Sequence, residues 1–149
     1  MTSIALGILY EEGLIDLDTP IQEYVPSFPI KEKGTVTTRL LASHRAGIRH
    51  YLPDMSDNFV QDHYENVVDA LKIFADDPLL SVPGDEYSYS SHGYNLLSAV
   101  LQEASGVEFL TLMRERVFGP LKLIETVADH VGIALKPLGE HDLLLVAAG

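Results

Sequence analysis

Breaker residues come so often along this chain that no regular element can run far before one interrupts it. Asp18-Thr19-Pro20, Pro26, Pro29, Gly34, Gly47, Asp77-Pro78, Pro83-Gly84, Ser105-Gly106 and Gly119-Pro120 cut the sequence into short pieces. Proline locks φ and removes an amide donor, while glycine accepts the left-handed conformation that commonly closes a helix. The pieces between them carry apolar residues at helical spacing. Ile4, Ala5, Ile8 and Leu9 share a face ahead of Gly13, and Tyr94, Leu97, Leu101 and Ala104 share one ahead of Ser105-Gly106. Phe109, Leu112, Met113 and Val117 form a third, ended by Gly119-Pro120. The chain therefore reads as a set of short helices.

Capping chemistry adds detail. Asp18-Thr19-Pro20 can start a short helix over Ile21 to Val25, and Thr37 can cap another through Leu40, Leu41 and Ser43, ended by Gly47. Asp62 with Glu65 three residues on resembles a capping box and predicts a helix through Val67, Val68, Leu71 and Phe74. Tyr51 to Gln61 reads as a surface loop. The first helix begins at the first residue with no cap before it, and so reads as the back half of a longer one.

With 149 residues and no repeat or linker, the pattern fits one mostly helical unit. A formal net charge of -12 opposes phosphate backbones, so nucleic acid is not an expected partner. The absence of cysteine removes disulfides, thiol nucleophiles and cysteine-based metal sites. No apolar run approaches the roughly 20 residues that span a bilayer. Met1 to Tyr10 is apolar, but without a basic start or a small-residue cleavage site it does not read as a signal peptide. Half of the net charge lies between Asp54 and Asp77, seven acids against Lys72. That stretch reads as a solvated face, since it lacks the ordered carboxylates of a calcium loop.

Several chemistries are excluded by missing fingerprints. There is no Gly-x-Ser-x-Gly elbow, His-Glu-x-x-His, Gly-x-Gly-x-x-Gly or Walker loop. The six histidines, at 44, 50, 63, 92, 130 and 141, are not paired at the four-residue spacing that puts two ligands on one helical face, so no metal or cofactor is expected. Ser90 with His92 would imitate a nucleophile and base only if a carboxylate such as Asp85 oriented the ring. His44 reads as a residue that hydrogen-bonds a nearby turn, and Tyr87, Tyr94, Leu96 and Leu97 read as packing residues.

The densest stretch is Pro83-Gly84-Asp85-Glu86-Tyr87-Ser88-Tyr89-Ser90-Ser91-His92-Gly93-Tyr94-Asn95-Leu96-Leu97. It resembles the Tyr-x-Asn region of serine β-lactamase-like hydrolases of the class C and penicillin-binding type. Three further stretches agree in order: Gly13 to Pro20 followed by Tyr24-Val25-Pro26, then Val36 to His44 ending at Gly47-Ile48, then Phe118-Gly119-Pro120-Leu121. Arg39-Leu40-Leu41, His44, Gly47-Ile48 and His50-Tyr51 look closest to the branch that holds the mitochondrial serine β-lactamase-like proteins and their bacterial relatives. The likeness covers residues 1–130, a partial β-lactamase-related domain. Residues 131–149 form an apolar tail with eleven of nineteen positions Val, Ile, Leu or Ala.

The resemblance implies a mixed α/β β-lactamase/transpeptidase-like parent fold, of which this chain supplies the mostly α helical subdomain. It implies an acyl-enzyme mechanism on amide or ester bonds, with a small-molecule or peptide substrate in the complete enzyme and no cofactor. Tyr89 aligns with the tyrosine that relays the nucleophile's proton. Ser91 aligns with the Asn that steadies substrate and lysine, and its shorter side chain loses the amide donor. The Ser-x-x-Lys that carries the nucleophile occurs nowhere in these residues and would align ahead of Met1. His130-Val131-Gly132 matches the third motif in form, yet comes only 41 residues after Tyr89 and reads as ordinary loop. The chain alone is thus expected to be inactive. It is also expected to associate through apolar faces of Leu97 to Leu101 and Phe109 to Val117 that the missing sheet would cover. The alternative is a noncatalytic helical module that binds a peptide or protein. Members of the family are often exported or mitochondrial, so the compartment stays open.

Overall fold

The computed structural model describes residues 1–54, 56–57, 64, 66–123 and 125–126. Among the described residues four α-helices carry the architecture: α1 (Thr2–Glu11), α2 (Thr38–Ala42), α3 (Ser91–Ser105) and α4 (Phe109–Met113). Two 3₁₀ turns, Ile21–Glu23 and Asp69–Ile73, fill the connections, and α4 runs on into a π-helical turn, Arg114–Phe118. The β structure among the described residues is one isolated antiparallel bridge between Pro20 and Thr37.

Glycine and histidine set the helix ends. Gly13, at φ 72°, closes α1, with the Leu14 amide reaching back to the Leu9 carbonyl at 2.9 Å and Gly13 to Tyr10 at 3.0 Å. The same reciprocal closure ends α2, but the left-handed residue there is His44, at φ 56°, not Gly47. Arg45 returns to Leu40 at 2.8 Å and His44 to Leu41 at 3.1 Å. At the start of α2, the Thr37 side chain accepts from the Leu40 amide as expected. α3 ends on Gly106 at φ 67°.

α3 is the central element. Leu96, Leu97, Ala99, Val100 and Leu101 are buried in succession, which places most of its circumference against other parts of the chain. Ala5, Leu6 and Leu9 of α1, Leu41 of α2, Leu112 and Met113 of α4, and Val117 complete the core around it. Each fully buried leucine contributes about 1.5–3 kcal/mol of transfer free energy. Of the apolar faces expected to stay uncovered, Leu97 to Leu101 of α3 are buried within the chain, as are Leu112, Met113 and Val117 of the second stretch. Large exposed apolar side chains include Leu110 of α4 and, elsewhere, Ile4, Tyr10, Ile30, Leu80, Tyr87 and Leu121.

The helix expected from Asp62 differs in extent. Asp62 and Glu65 lie outside the described residues, and the chain beyond them forms the short 3₁₀ turn Asp69–Ile73 in place of an α-helix. Its start is set by Asn66, whose side-chain oxygen accepts the Val68 and Asp69 amides at 2.9 and 3.1 Å. His130-Val131-Gly132 and the tail to Gly149 also lie outside the described residues.

Candidate active site

Residues 44–50 run beside residues 80–91, and a ladder of hydrogen bonds joins the two stretches. The Leu80 amide donates to Gly47 at 2.8 Å, the Gly84 amide to Arg45 at 2.8 Å and the Ser88 amide to His44 at 2.8 Å, each to the backbone carbonyl. Arg45 returns its guanidinium to the Gly84 carbonyl. Gly47 is required at this approach: its φ is +74°, and a Cβ there would sit 2.7 Å from the Ser81 carbonyl oxygen.

The ladder ends where the Tyr89-Ser90-Ser91 turn enters α3. Ser90 is extended, at φ -145° and ψ 119°, and caps the helix by accepting the Gly93 amide at 2.8 Å. Its hydroxyl donates to the Arg49 carbonyl at 2.6 Å. Both hydrogen-bonding faces of Ser90 are thereby occupied, and its partners are not those of a nucleophile. His92 likewise turns to Asp57, at 2.9 Å, and not to Asp85. The imagined Ser90 and His92 pair does not form.

Two imidazoles flank the turn. His44 Nδ1 accepts the Ser90 amide at 3.2 Å, and His50 Nδ1 accepts the Ser91 amide at 3.3 Å. Around His44 lie three tyrosine rings: Tyr94 stacked at 4.8 Å, Tyr89 tilted at 4.7 Å and Tyr87 edge-on at 5.9 Å. His50 meets the Tyr89 ring edge-on at 5.3 Å and the Tyr51 ring at 4.7 Å. Burial pushes the His44 imidazole below the ordinary histidine range, in keeping with its role as an acceptor.

Tyr89 itself is 56% exposed, and its ring meets both His44 and His50. Ser91, the first residue of α3, is half-buried one position beyond the cap. Sequence therefore brings Tyr89 and Ser91 to the same turn. Tyr94 packs as expected and donates its hydroxyl to the Ala42 carbonyl at 3.0 Å. Tyr87, read as a packing residue, is instead 68% exposed and meets the His44 ring edge-on.

The reading of residues 54–77 as a solvated acidic face misses a buried network. Asp57 accepts hydrogen bonds from His92, Arg49 and the Leu52 amide. Burial pushes its carboxyl up, but His92, Arg49 and Leu52 more than offset this and hold it well below the usual carboxylate range. Burial also lowers the His92 imidazole, against the opposing pull of Asp57. Neutral His92 with its Nε2 proton on an ionised Asp57 satisfies both. Arg49 adds a 2.5 Å contact to Asp77 and a 3.2 Å bond to the Ile73 carbonyl. A concavity of about 770 Å³, lined by Phe28, Pro29, Tyr64 and Lys72 among others, includes none of the residues around Tyr89. Among the described residues no three acidic or histidine side chains gather as metal ligands.

Comparison with known proteins places this geometry. Human serine beta-lactamase-like protein LACTB, mitochondrial, is 31% identical over 196 residues, an alignment that takes in 87% of this chain and 36% of the human protein. Penicillin-binding protein 4* of Bacillus subtilis is 24% identical and covers 84% of this chain and 28% of its own length. Among solved structures, a penicillin-binding protein from Bacillus halodurans superposes with a TM-score of 0.67 at 28% identity, covering 79% of this chain and 37% of that one. A D-stereospecific amidohydrolase from Streptomyces gives 0.68 at 25%, covering 83% and 40%. The chain thus spans about a third of the length of these relatives, and its helices are the helical part of the β-lactamase/transpeptidase-like fold. The beta-lactamase family profile matches residues 1–136. By that match and these relatives, the chain belongs to the beta-lactamase family.

Proposed function

We propose that this chain is the helical portion of a serine hydrolase that forms an acyl-enzyme on amide or ester bonds, with Tyr89 as proton relay and Ser91 as a weaker accessory. One observation carries the reading: at the N-terminus of α3 Tyr89 is solvent-exposed while its ring meets His44 and His50 and the two following amides are held by those histidines. A relay needs that combination of access and a held position. A second contact agrees with it. Ser3 near the start of α1 lies 3.1 Å from the Tyr94 hydroxyl, which sets the beginning of α1 against the first turn of α3. In the family resemblance, Ser-x-x-Lys lies on the approach to that helix. The nucleophile's proton would pass to the phenolic oxygen as serine attacks the carbonyl, and return to the leaving group as the acyl-enzyme forms. The substrate would be a small molecule or peptide with a β-lactam, amide or ester carbonyl.

On this reading the chain as given is silent, because it contains no Ser-x-x-Lys. A chromogenic β-lactam, an activated ester and a serine-directed covalent probe test that, and stoichiometric labelling of one serine would overturn it. In a form that carries Ser-x-x-Lys and the downstream strands, Tyr89→Phe should slow single-turnover acylation by about 10² to 10⁴. Ser91→Ala should cost clearly less. A Tyr89→Phe rate within a few-fold of the parent would remove Tyr89 from the mechanism.

A further inference from the structure

We infer that His44 is a positioning residue: its Nδ1 holds the Ser90 amide and its ring wedges against Tyr89, so that the relay hydroxyl is fixed from the α2 side, with His50 as a second hold on Ser91. The inference rests on the proposed role of Tyr89.

The geometry specifies how His44 works. An amide can only donate, so the bond from Ser90 at 3.2 Å requires an unprotonated Nδ1 on His44 and leaves any ring proton on Nε2. The backbone is equally specific. His44 is one of two non-glycine residues with positive φ among the described residues, and the left-handed turn is what swings its ring from the end of α2 toward α3. That conformation costs about 1–2 kcal/mol in a residue with a Cβ. Glycine would avoid the cost but could neither accept the Ser90 amide nor fill the space between Tyr87, Tyr89 and Tyr94.

The site also dictates what protonation would do. The titratable rings facing His44 are Tyr87 and Tyr89 from the loop and Tyr94 from α3, with His50 across the Tyr89 ring. The neighbouring cation, Arg45, is engaged by the Gly84 carbonyl and also reaches the Asp85 carbonyl. Among the described residues no carboxylate is hydrogen-bonded to the ring, and the positive end of α3 opposes a second positive charge there. A proton on Nδ1 would set a donor against the Ser90 donor and release the turn.

Amide hydrogen exchange of this chain, resolved by residue, tests the assignment. The Ser90 amide should be protected at pH 8, and its protection factor should fall as pH drops below 6.5, while that of Val100 in the middle of α3 holds. His44→Gly keeps the left-handed turn and should reduce Ser90 protection by about five- to ten-fold, the loss of one hydrogen bond. His44→Asn tolerates the same φ and offers Oδ1 near the place of Nδ1, so it should restore protection at pH 8 and abolish its loss at low pH. If His44→Gly unfolds the chain, the pH profile of the unsubstituted chain and the Asn variant still decide. Ser90 exchanging at loop rates, no change in His44→Gly, or an unchanged pH profile in His44→Asn would each overturn the inference. Tyr89→Phe should leave Ser90 protection intact, so a failure of Tyr89 as relay appears in acylation and not here.

Discussion

Nε2 of His92 and Oδ2 of Asp57 stand 2.9 Å apart where His92 is 1% and Asp57 8% exposed, joining the first turn of α3 to a segment 35 positions earlier. Arg49 closes the group by binding both Asp57 and Asp77. Removing one partner of such a pair strands the others, which is where its energetic weight lies. Asp57→Ala should therefore destabilise the chain by about 3 kcal/mol, the lower end for a broken buried pair because Arg49 keeps Asp77. Exposed Asp76→Ala should stay within about 0.5 kcal/mol. Urea unfolding of both variants checks this, and equal midpoints would refute it.

Acid should destabilise the fold in two steps. His44 and His92 both sit below 6.5 in the folded chain, so unfolding takes up protons in that range. Their stabilisation is complete above pH 6.5 and is lost as pH falls through it toward the folded values. Asp57 is depressed below 3.8, so its contribution survives that first step and is lost only as pH falls below 3.8. The urea midpoint should be level from pH 8 to 7, decline below 6.5, and decline again below 4.5, first as Glu108, whose carboxyl the Leu110 and Thr111 amides hold low against the upward push of burial, and then as Asp57 takes up a proton. His44→Asn should make the first decline shallower. A midpoint that rises between pH 7 and 5 would contradict the assignment.

Local features are legible in the sequence because they depend on neighbours in the chain. Thr37 caps α2, Gly13 and Gly106 close α1 and α3, and the motif from Pro83 to Leu97 marks the turn that carries Tyr89. His44 does hydrogen-bond a turn, as expected, though that turn, at Ser90, lies 46 positions along the chain. The features that escape a sequence reading depend on distant segments meeting. Asp57 sits in an acidic stretch that composition marks as solvated, and nothing in its own surroundings signals that Arg49 and His92 will enclose it. His44 and His50 likewise lack the four-residue spacing that would betray a shared task, since the fold and not a helix face brings them to the start of α3. Asn66 is easily overlooked as a cap because Asp62 and Glu65 offer a more familiar one.

The Ser90 side chain ties α3 to the ladder and caps it at once. Ser90→Ala loses the cap on Gly93 and leaves the Arg49 carbonyl without its 2.6 Å donor. The loss should be about 1–2 kcal/mol, the upper part of the range for a lost N-cap. Ser88→Ala should cost under about 0.5 kcal/mol, because the Ser88 contact with His44 is made by its backbone amide. Thermal or urea unfolding gives both numbers, and comparable losses would argue against a special role for the Ser90 hydroxyl.

Gly47 and Gly106 separate the cost of a left-handed backbone from the cost of a close approach. Both have positive φ, +74° and +67°, so alanine at either should lose about 1–2 kcal/mol from conformation alone. Gly106 has nothing within 4 Å of a built Cβ, and its alanine variant should stop at that loss. At Gly47 the new Cβ would lie 2.7 Å from the Ser81 carbonyl oxygen and 3.3 Å from its nitrogen, so the two stretches must part. That movement would strain the 2.8 Å bond from the Leu80 amide to the Gly47 carbonyl. Gly47→Ala should accordingly cost a further 1–3 kcal/mol, about the penalty for leaving a buried polar group unpaired. The damage should also travel along the ladder, lowering protection of the Ser88 and Ser90 amides, whereas Gly106→Ala should leave both unchanged. Equal destabilisation by the two variants, or unchanged Ser90 exchange in Gly47→Ala, would mean that the 44–50 segment holds the Tyr89 turn without the contact at Ser81.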